Sequence, residues 1–184
     1  MVIQNFIFKN LIKSIMNSIE NLDKKDGILK LIQMVDGIKF CFFATDLKNE
    51  NDRSSTVMTA QFVDQEGAIW FFSGLDSDRN RDITTHKKVH LYFSSPEKNS
   101  YLSVSGQATI VTDKDKIAKL WNPLLQVWFQ DGVDDTNISL LKIVPKKAHY
   151  WDSENQKMIN FFKVIAPTIK GNNAIETTEG QIEI

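Results

Sequence analysis

Apolar side chains recur along this chain first at helical and then at strand spacing. Ile28, Leu31, Ile32 and Val35 stand three and four residues apart between Lys24 and Val35, one face of an amphipathic helix, and Asp36-Gly37 supplies a stop. Ile38 to Thr45 is a run of apolar and aromatic residues, Asp46 to Arg53 a polar hairpin loop, and Ser54 to Val63 carries the strand formers Thr56, Val57, Thr59 and Phe62. Asp64-Gln65-Glu66-Gly67 turns the chain into Ala68 to Ser73, completing a second hairpin. Asp76 to His86 is polar apart from Ile83. It reads as a short helix capped by Asp76 or Ser77 that leads to a strand over Val89 to Ser94.

After a turn at Ser95 to Asn99, Tyr101 to Val111 alternates broadly and is interrupted by Gly106, the mark of a bulge or barrel bend. A helix starts at Asp113, runs through Trp121 and is ended by Pro123; Gln130 to Asn137 is a loop. Ile138 to Trp151 is a strand pair or a single strand bent around Pro145, and Met158 to Ile165 is a last apolar segment. Six or more closely connected strands with two or three short helices predict a mainly β fold, a small antiparallel β-barrel with flanking helices. The expected organisation is an N-terminal extension over 1–19, helical or disordered, one domain over 20–168 and a tail over 169–184.

Composition narrows the functional classes. A chain of 184 residues, 42% hydrophobic, buries one good core but is short for two. Lys+Arg 22 against Asp+Glu 23 leaves a net charge of -1. No broad basic surface for nucleic acid or an anionic membrane follows, so any phosphate contact must be local. Gln4, Asn5, Lys9, Asn10 and Lys13 interrupt the apolar start too often for a membrane span, which needs about 20 apolar residues, and no small-residue cleavage site follows. The regular pattern begins only after Met16, the expected native start. The single cysteine, Cys41, sits in an apolar strand segment as a core side chain; it excludes an intrachain disulfide and fits a reducing, cytoplasmic setting.

The chain has no Gly-x-Ser-x-Gly elbow, no phosphate-binding Walker loop, no Gly-x-Gly-x-x-Gly and no paired-cysteine knuckle. His86, His90 and His149 are scattered, and a helix-to-strand break between His86 and His90 removes the common face a metal pair needs, so no metal site is expected. No catalytic side chain can be assigned. Phe72 to Asn80 ends a strand and opens a helix, where the Ser73 and Ser77 hydroxyls, backbone N–H groups and the helix dipole can hold a phosphate, with Arg79 as a bidentate cation. The same residues also fit an ordinary N-cap and a solvated arginine, and Asp76 and Asp78 repel an anion; the residues alone leave both readings open. Trp121, Trp128 and Phe129 surround a helix end and the loop after it, as walls for a flat ring or as packing for a core or dimer interface.

Taken in order, Asp-Ser-x-Arg after Trp-Phe-Phe-Ser, Tyr-Leu-Ser-Val-Ser-Gly, Leu-Trp-Asn-Pro, Val-Trp-Phe-Gln-Asp-Gly-Val-Asp-Asp and His-Tyr-Trp-Asp resemble the general-stress-protein branch of the pyridoxamine-phosphate-oxidase-like flavoproteins. The resemblance runs from about Leu29 to about Ile165. It implies a six-stranded FMN-binding split barrel that forms a homodimer and holds FMN in two symmetric interfacial clefts. The strand carrying Thr56, Val57, Met58 and Thr59 would lie along the isoalloxazine. Relatives usually place an arginine where Thr56 stands and often a further cation where Leu75 stands; this sequence departs from both. Ser73, Ser77 and Arg79 match a second phosphate grip, with Arg79 in place of the more common lysine. Trp128 and Phe129 match a loop that leans over the flavin from the partner chain. The implied activity is an FMN-dependent oxidoreductase acting on a small-molecule redox substrate. The alternatives are a flavin-binding stress protein without turnover, or a split barrel that has lost FMN and binds another ligand. The pyridoxal-phosphate recognition residues of the true oxidase are not recognisable, so that substrate is not implied.

Overall fold

Helix α1 (Lys24–Ile38) places Leu31, Met34 and Val35 on one buried face, as the spacing predicts. The structure, a computed structural model, describes residues 24–45, 55–98, 100–152 and 157–162. The expectations for the extension over 1–19, the start at Met16, the loop at Asp46 to Arg53 and the tail over 169–184 lie outside the described residues. The helix runs past the stop expected at Asp36-Gly37. It ends where Lys39 adopts the left-handed conformation (φ 65°) and its N–H donates to Val35 O at 2.7 Å, closing the last turn.

Among the described residues eight strand segments follow: β1 (Phe40–Ala44), β2 (Ser55–Thr59), β3 (Phe62–Val63), β4 (Ile69–Gly74), β5 (Lys88–Ser95), β6 (Ser100–Val111), β7 (Ile138–Asp152) and β8 (Lys157–Phe162). All pair antiparallel, in the order β2-β1-β5-β6-β7-β4-β3, with β8 added to β7. The two ends of that order are one piece of chain, since only Ala60 and Gln61 separate β2 from β3. This bent segment pairs with β1 at Phe40↔Thr59 and with β4 at Phe62↔Trp70. Its corner is pinned on both sides: Ala60 N–H donates to Lys39 O at 2.9 Å and Gln61 N–H to Trp70 O at 2.8 Å. Counted this way the barrel has the six expected strands. The strand count departs from expectation only in β8, which lies outside it.

Pro145 does not divide β7 into a strand pair. Ser105 pairs with Lys147 but Gly106 with Pro145, so Lys146 is an extra residue and the strand bends at a bulge. Proline fits there because it offers no N–H to a ladder. On its other edge β7 pairs with β4 up to Ile143 and with β8 from Lys147 onward. Gly106 is required by contact: a Cβ there would meet Val144 O at 2.6 Å.

The barrel interior is filled by Phe43, Phe71, Leu91, Phe93, Leu102, Val104, Leu141 and Ile143, with α1 closing one side. A second, smaller cluster packs Trp70, Phe72, Ile138 and Leu140 against Ile117 of helix α3 (Lys114–Leu120) and against Leu125 and Phe129 of the following loop. Strand β4 is therefore buried on both faces, which explains why its sequence is an unbroken apolar run and not an alternation. Cys41 is a core residue, and burial pushes its thiol up to about 12, so it stays a neutral packing group. Among the described residues no helix is long and apolar enough to cross a membrane.

Gly106→Ala should lower stability by about 1–3 kcal/mol, the usual range for overpacking against a rigid neighbour. A lower urea midpoint at unchanged slope is the expected result; an unchanged midpoint would show that the bulge at Pro145 can yield.

Candidate functional site

Closure of the barrel brings β2 to the end of β4. Ser73, 2% exposed, lies in β4; a short turn then leads into helix α2 (Asp78–Thr85), whose N-cap is Ser77, with Asn80 N–H donating to Ser77 Oγ at 3.2 Å. The turn is tied to the start of β7. Leu75 N–H donates to Asn137 O at 2.7 Å, Asp76 N–H to Asn137 Oδ1 at 3.1 Å, and Asn137 Nδ2 to Asp76 Oδ1 at 2.8 Å. Thr45 Oγ1 donates to Asp82 Oδ2 at 2.6 Å, which anchors α2 to the end of β1. Asp78 pairs with Arg81. The two acids next to the helix start are thus engaged by Asn137 and Arg81, and neither lines the cleft described next.

Arg79 reaches from α2 across the end of the barrel. Its Nη1 donates to Thr56 Oγ1 at 2.7 Å and its Nη2 to Ser73 Oγ at 3.2 Å, while its buried Nε has no hydrogen-bond partner. Burial lowers its pKa from the ordinary arginine value, and no described carboxylate forms an ion pair with it. A buried N–H without an acceptor costs about 1–3 kcal/mol.

Beside Arg79 lies an open cleft of about 300 Å³. It is lined by Val57, Met58 and Thr59 of β2, by Phe72, Ser73 and Gly74 of β4 as its floor, and by Leu125, Trp128 and Phe129 of the loop after α3. Seven of the nine residues singled out from the sequence therefore line one cavity: Val57, Met58, Thr59, Ser73, Arg79, Trp128 and Phe129. The other two stand behind it. Thr56 accepts from Arg79, and Ser77 is held by Asn80. Gln61, Leu125 and Asn137 line the cleft without having been singled out. Asn137 meets the turn after β4 from 61 residues away, so no local pattern marks it.

The aromatic residues divide by burial. Phe129 packs on Phe72 (6.3 Å between ring centres) and Trp121 (6.4 Å), so it is both core and wall, whereas Trp121 belongs to the second cluster and not to the cleft. Trp128 is 70% exposed. The resemblance places Trp128 and Phe129 over the partner's flavin. In this protomer they line the cleft of their own chain, and Leu125 and Phe129 pack in one cluster with Trp70 and Phe72 of β4.

Next to the cleft, the outer face of the sheet is apolar and exposed. Phe42 pairs with Val57 on one side and Tyr92 on the other, and Tyr101 pairs with Trp151, all five exposed; Phe40 stands beside them. His90 lies among them, its Nε2 2.9 Å from Ser103 Oγ and its ring stacked on Tyr92 at 4.4 Å. Burial and the neighbouring His149 hold His90 below its ordinary pKa. Among the described residues no group of three His, Cys, Asp or Glu side chains is placed to hold a metal ion.

Comparison with known proteins gives this geometry a family. General stress protein 26 of Bacillus subtilis is 27% identical over 128 residues, 68% of this chain and 88% of that protein. Protein bli-3 of Neurospora crassa is 30% identical over 90 residues, 45% of this chain, and the match spans only 43% of bli-3. The crystal structure of the general stress FMN/FAD binding protein of Xanthomonas citri superposes with a TM-score of 0.59 at 22% identity, over 83% of this chain and 99% of that one; it shares the fold. The family model described as Pyridoxamine 5'-phosphate oxidase like matches residues 26–174, which include the whole barrel and every residue of the cleft. The chain belongs to the pyridoxamine 5'-phosphate oxidase-like family, in its general stress protein 26 branch.

Proposed function

We propose that the protein binds FMN in the cleft beside Arg79 and acts as an oxidoreductase on a small molecule, with two protomers completing the site. The observation that carries this reading is the partnerless Nε–H of a half-buried arginine at a helix start, beside a cleft with apolar and aromatic walls. A guanidinium with unused N–H bonds and no carboxylate partner among the described residues suits a phosphate, and apolar and aromatic lining by Val57 and Trp128 suits a fused aromatic ring. Membership of the family and the FMN/FAD binding named for the Xanthomonas citri protein support the same cofactor class. When bound, FMN would supply the electron-transfer chemistry, while Arg79 and the walls bind and orient it.

Two features support the homodimer. A cleft of about 300 Å³ is at the lower end of the usual range for ligand pockets, as expected where a second protomer supplies an outer wall. Val57 belongs both to the cleft and to the exposed apolar face of Phe40, Phe42, Tyr92, Tyr101 and Trp151, so covering that face would also cover the cleft mouth.

A second reading, a flavin-binding stress protein without turnover, is favoured by one observation. Among the described residues no carboxylate, histidine, lysine, tyrosine or cysteine lines the cleft, so none of the described lining side chains is an ordinary proton carrier. The third, a barrel that has lost FMN, is weakened by the contact between Arg79 and Thr56: one cation reaches the position from which relatives place an arginine.

FMN titration by flavin fluorescence, with light scattering on the same sample, should give saturable binding at one FMN per chain of a dimer. A dimer that ignores FMN would remove the cofactor, and a monomer would remove the shared site. Photometric turnover with a reduced nicotinamide then separates an enzyme from a carrier. Arg79→Ala should weaken FMN by at least about tenfold and leave both riboflavin affinity and the dimer unchanged; equal losses for FMN and riboflavin would sink the phosphate role. Trp128→Ala should change the spectrum of bound flavin, and an unaltered spectrum would return Trp128 to packing.

A further inference from the structure

Asn80, 2% exposed in the first turn of α2, uses both ends of its side-chain amide. Their polarity can be worked out from the neighbours. Ser139 Oγ has one proton and donates it to Ser73 O at 2.9 Å. In its 2.9 Å contact with Asn80 Nδ2 it must therefore accept. The amide nitrogen faces Ser139, so Oδ1 faces the other way, 2.8 Å from Ser73 Oγ and 3.2 Å from Ser77 Oγ, and there it can only accept. The Ser73 hydroxyl thus spends its proton on Asn80 and turns a lone pair to Arg79 Nη2, which is a donor only.

We infer that Asn80 is the positioning residue of the anion grip: it makes Ser73 an acceptor, and Ser73 with Thr56 then holds the Arg79 guanidinium in place with its Nε–H unused. The inference rests on the reading of the cleft as a phosphate site, but not on FMN in particular. It reverses the role the sequence suggests for the two serines. Ser73 and Ser77 do not donate to the anion. They are oriented inward, and the donors offered to a phosphate monoester are the remaining N–H bonds of one arginine. The alternative is that Asn80 only cross-links β4, α2 and β7, which its bonds to Ser73 and Ser139 also accomplish.

The test follows the side-chain Nε–H signal of Arg79 and the side-chain amide of Asn80 by NMR while inorganic phosphate, FMN or riboflavin is added. In the wild type, phosphate and FMN should shift the Arg79 signal and leave the Asn80 amide protected and in place. An Asn80 amide that loses its protection as phosphate binds would mean that the serines turn to the anion, and the inference fails. An Arg79 signal indifferent to phosphate also overturns it. A response to phosphate without any to FMN would leave Asn80 in its role and sink the flavin reading alone. Asn80→Ala should lower FMN affinity by about tenfold or more, with riboflavin affinity unchanged; a folded variant that keeps full FMN affinity, or that loses both ligands equally, assigns Asn80 to cross-linking. The wild-type signals decide the matter even where the variant does not fold.

Discussion

A small sheet becomes a barrel only if one strand serves both of its edges, and residues 55–63 do so here. The bend at Ala60 and Gln61 lets this segment pair first with β1 and then with β4, and the two backbone bonds to Lys39 and Trp70 fix the corner. Everything at the site depends on that closure. It sets Val57, Met58 and Thr59 beside the end of β4 and brings Thr56 within 2.7 Å of Arg79, 23 residues further along the chain. The same pairing makes β4 central, covered inside by the barrel core and outside by α3 and its loop, so the floor of the cleft is packed from both faces.

On that floor the electrostatics are simple. One guanidinium sits between two hydroxyl groups that can accept from it but cannot neutralise it. Burial acts against its charge, and its Nε–H is left without a partner. The nearby acids do not relieve this, since Asp76 is held by Asn137, Asp78 by Arg81 and Asp82 by Thr45. The molecule therefore keeps a cation in a partly dry place with an unmet demand for negative charge. Such an arrangement costs stability, and on the proposed reading an anion bound there offsets the cost.

Much of the fold was legible because alternation and turn chemistry are local. The strands around Gly106, the helix capped near Ser77 and the helix starting at Asp113 all follow from neighbours in sequence. The end of α1 was not, since Asp36-Gly37 is a weaker stop than the left-handed turn at Lys39, which is set by the entry into β1. For the site, the family resemblance named residues from three separate stretches that the fold gathers into one cleft. It could not reveal Asn80, Ser139 or Asn137, because their importance lies in hydrogen bonds between residues 59 to 61 positions apart. Nor could it show that Arg79 reaches Thr56. Where the resemblance leads one to expect a cation at Thr56, the guanidinium of Arg79 donates to the Thr56 hydroxyl.

The cleft and the apolar face are best considered together. Exposed aromatic residues scattered singly would need no explanation, but Phe42 and Tyr92 are neighbours on adjacent strands, and Phe42 also touches the strand position of Val57, a wall of the cleft. On the proposed reading, removal of this face from water by a second protomer and completion of the ligand site are one event, since Val57 takes part in both. A ligand that bridges the cleft then stabilises the dimer, and the dimer raises affinity for the ligand, by the reciprocity that any such linkage obeys. That coupling places the main control of ligand binding in association, and it accounts for a site whose single protomer offers a phosphate grip and two walls but only a partial enclosure.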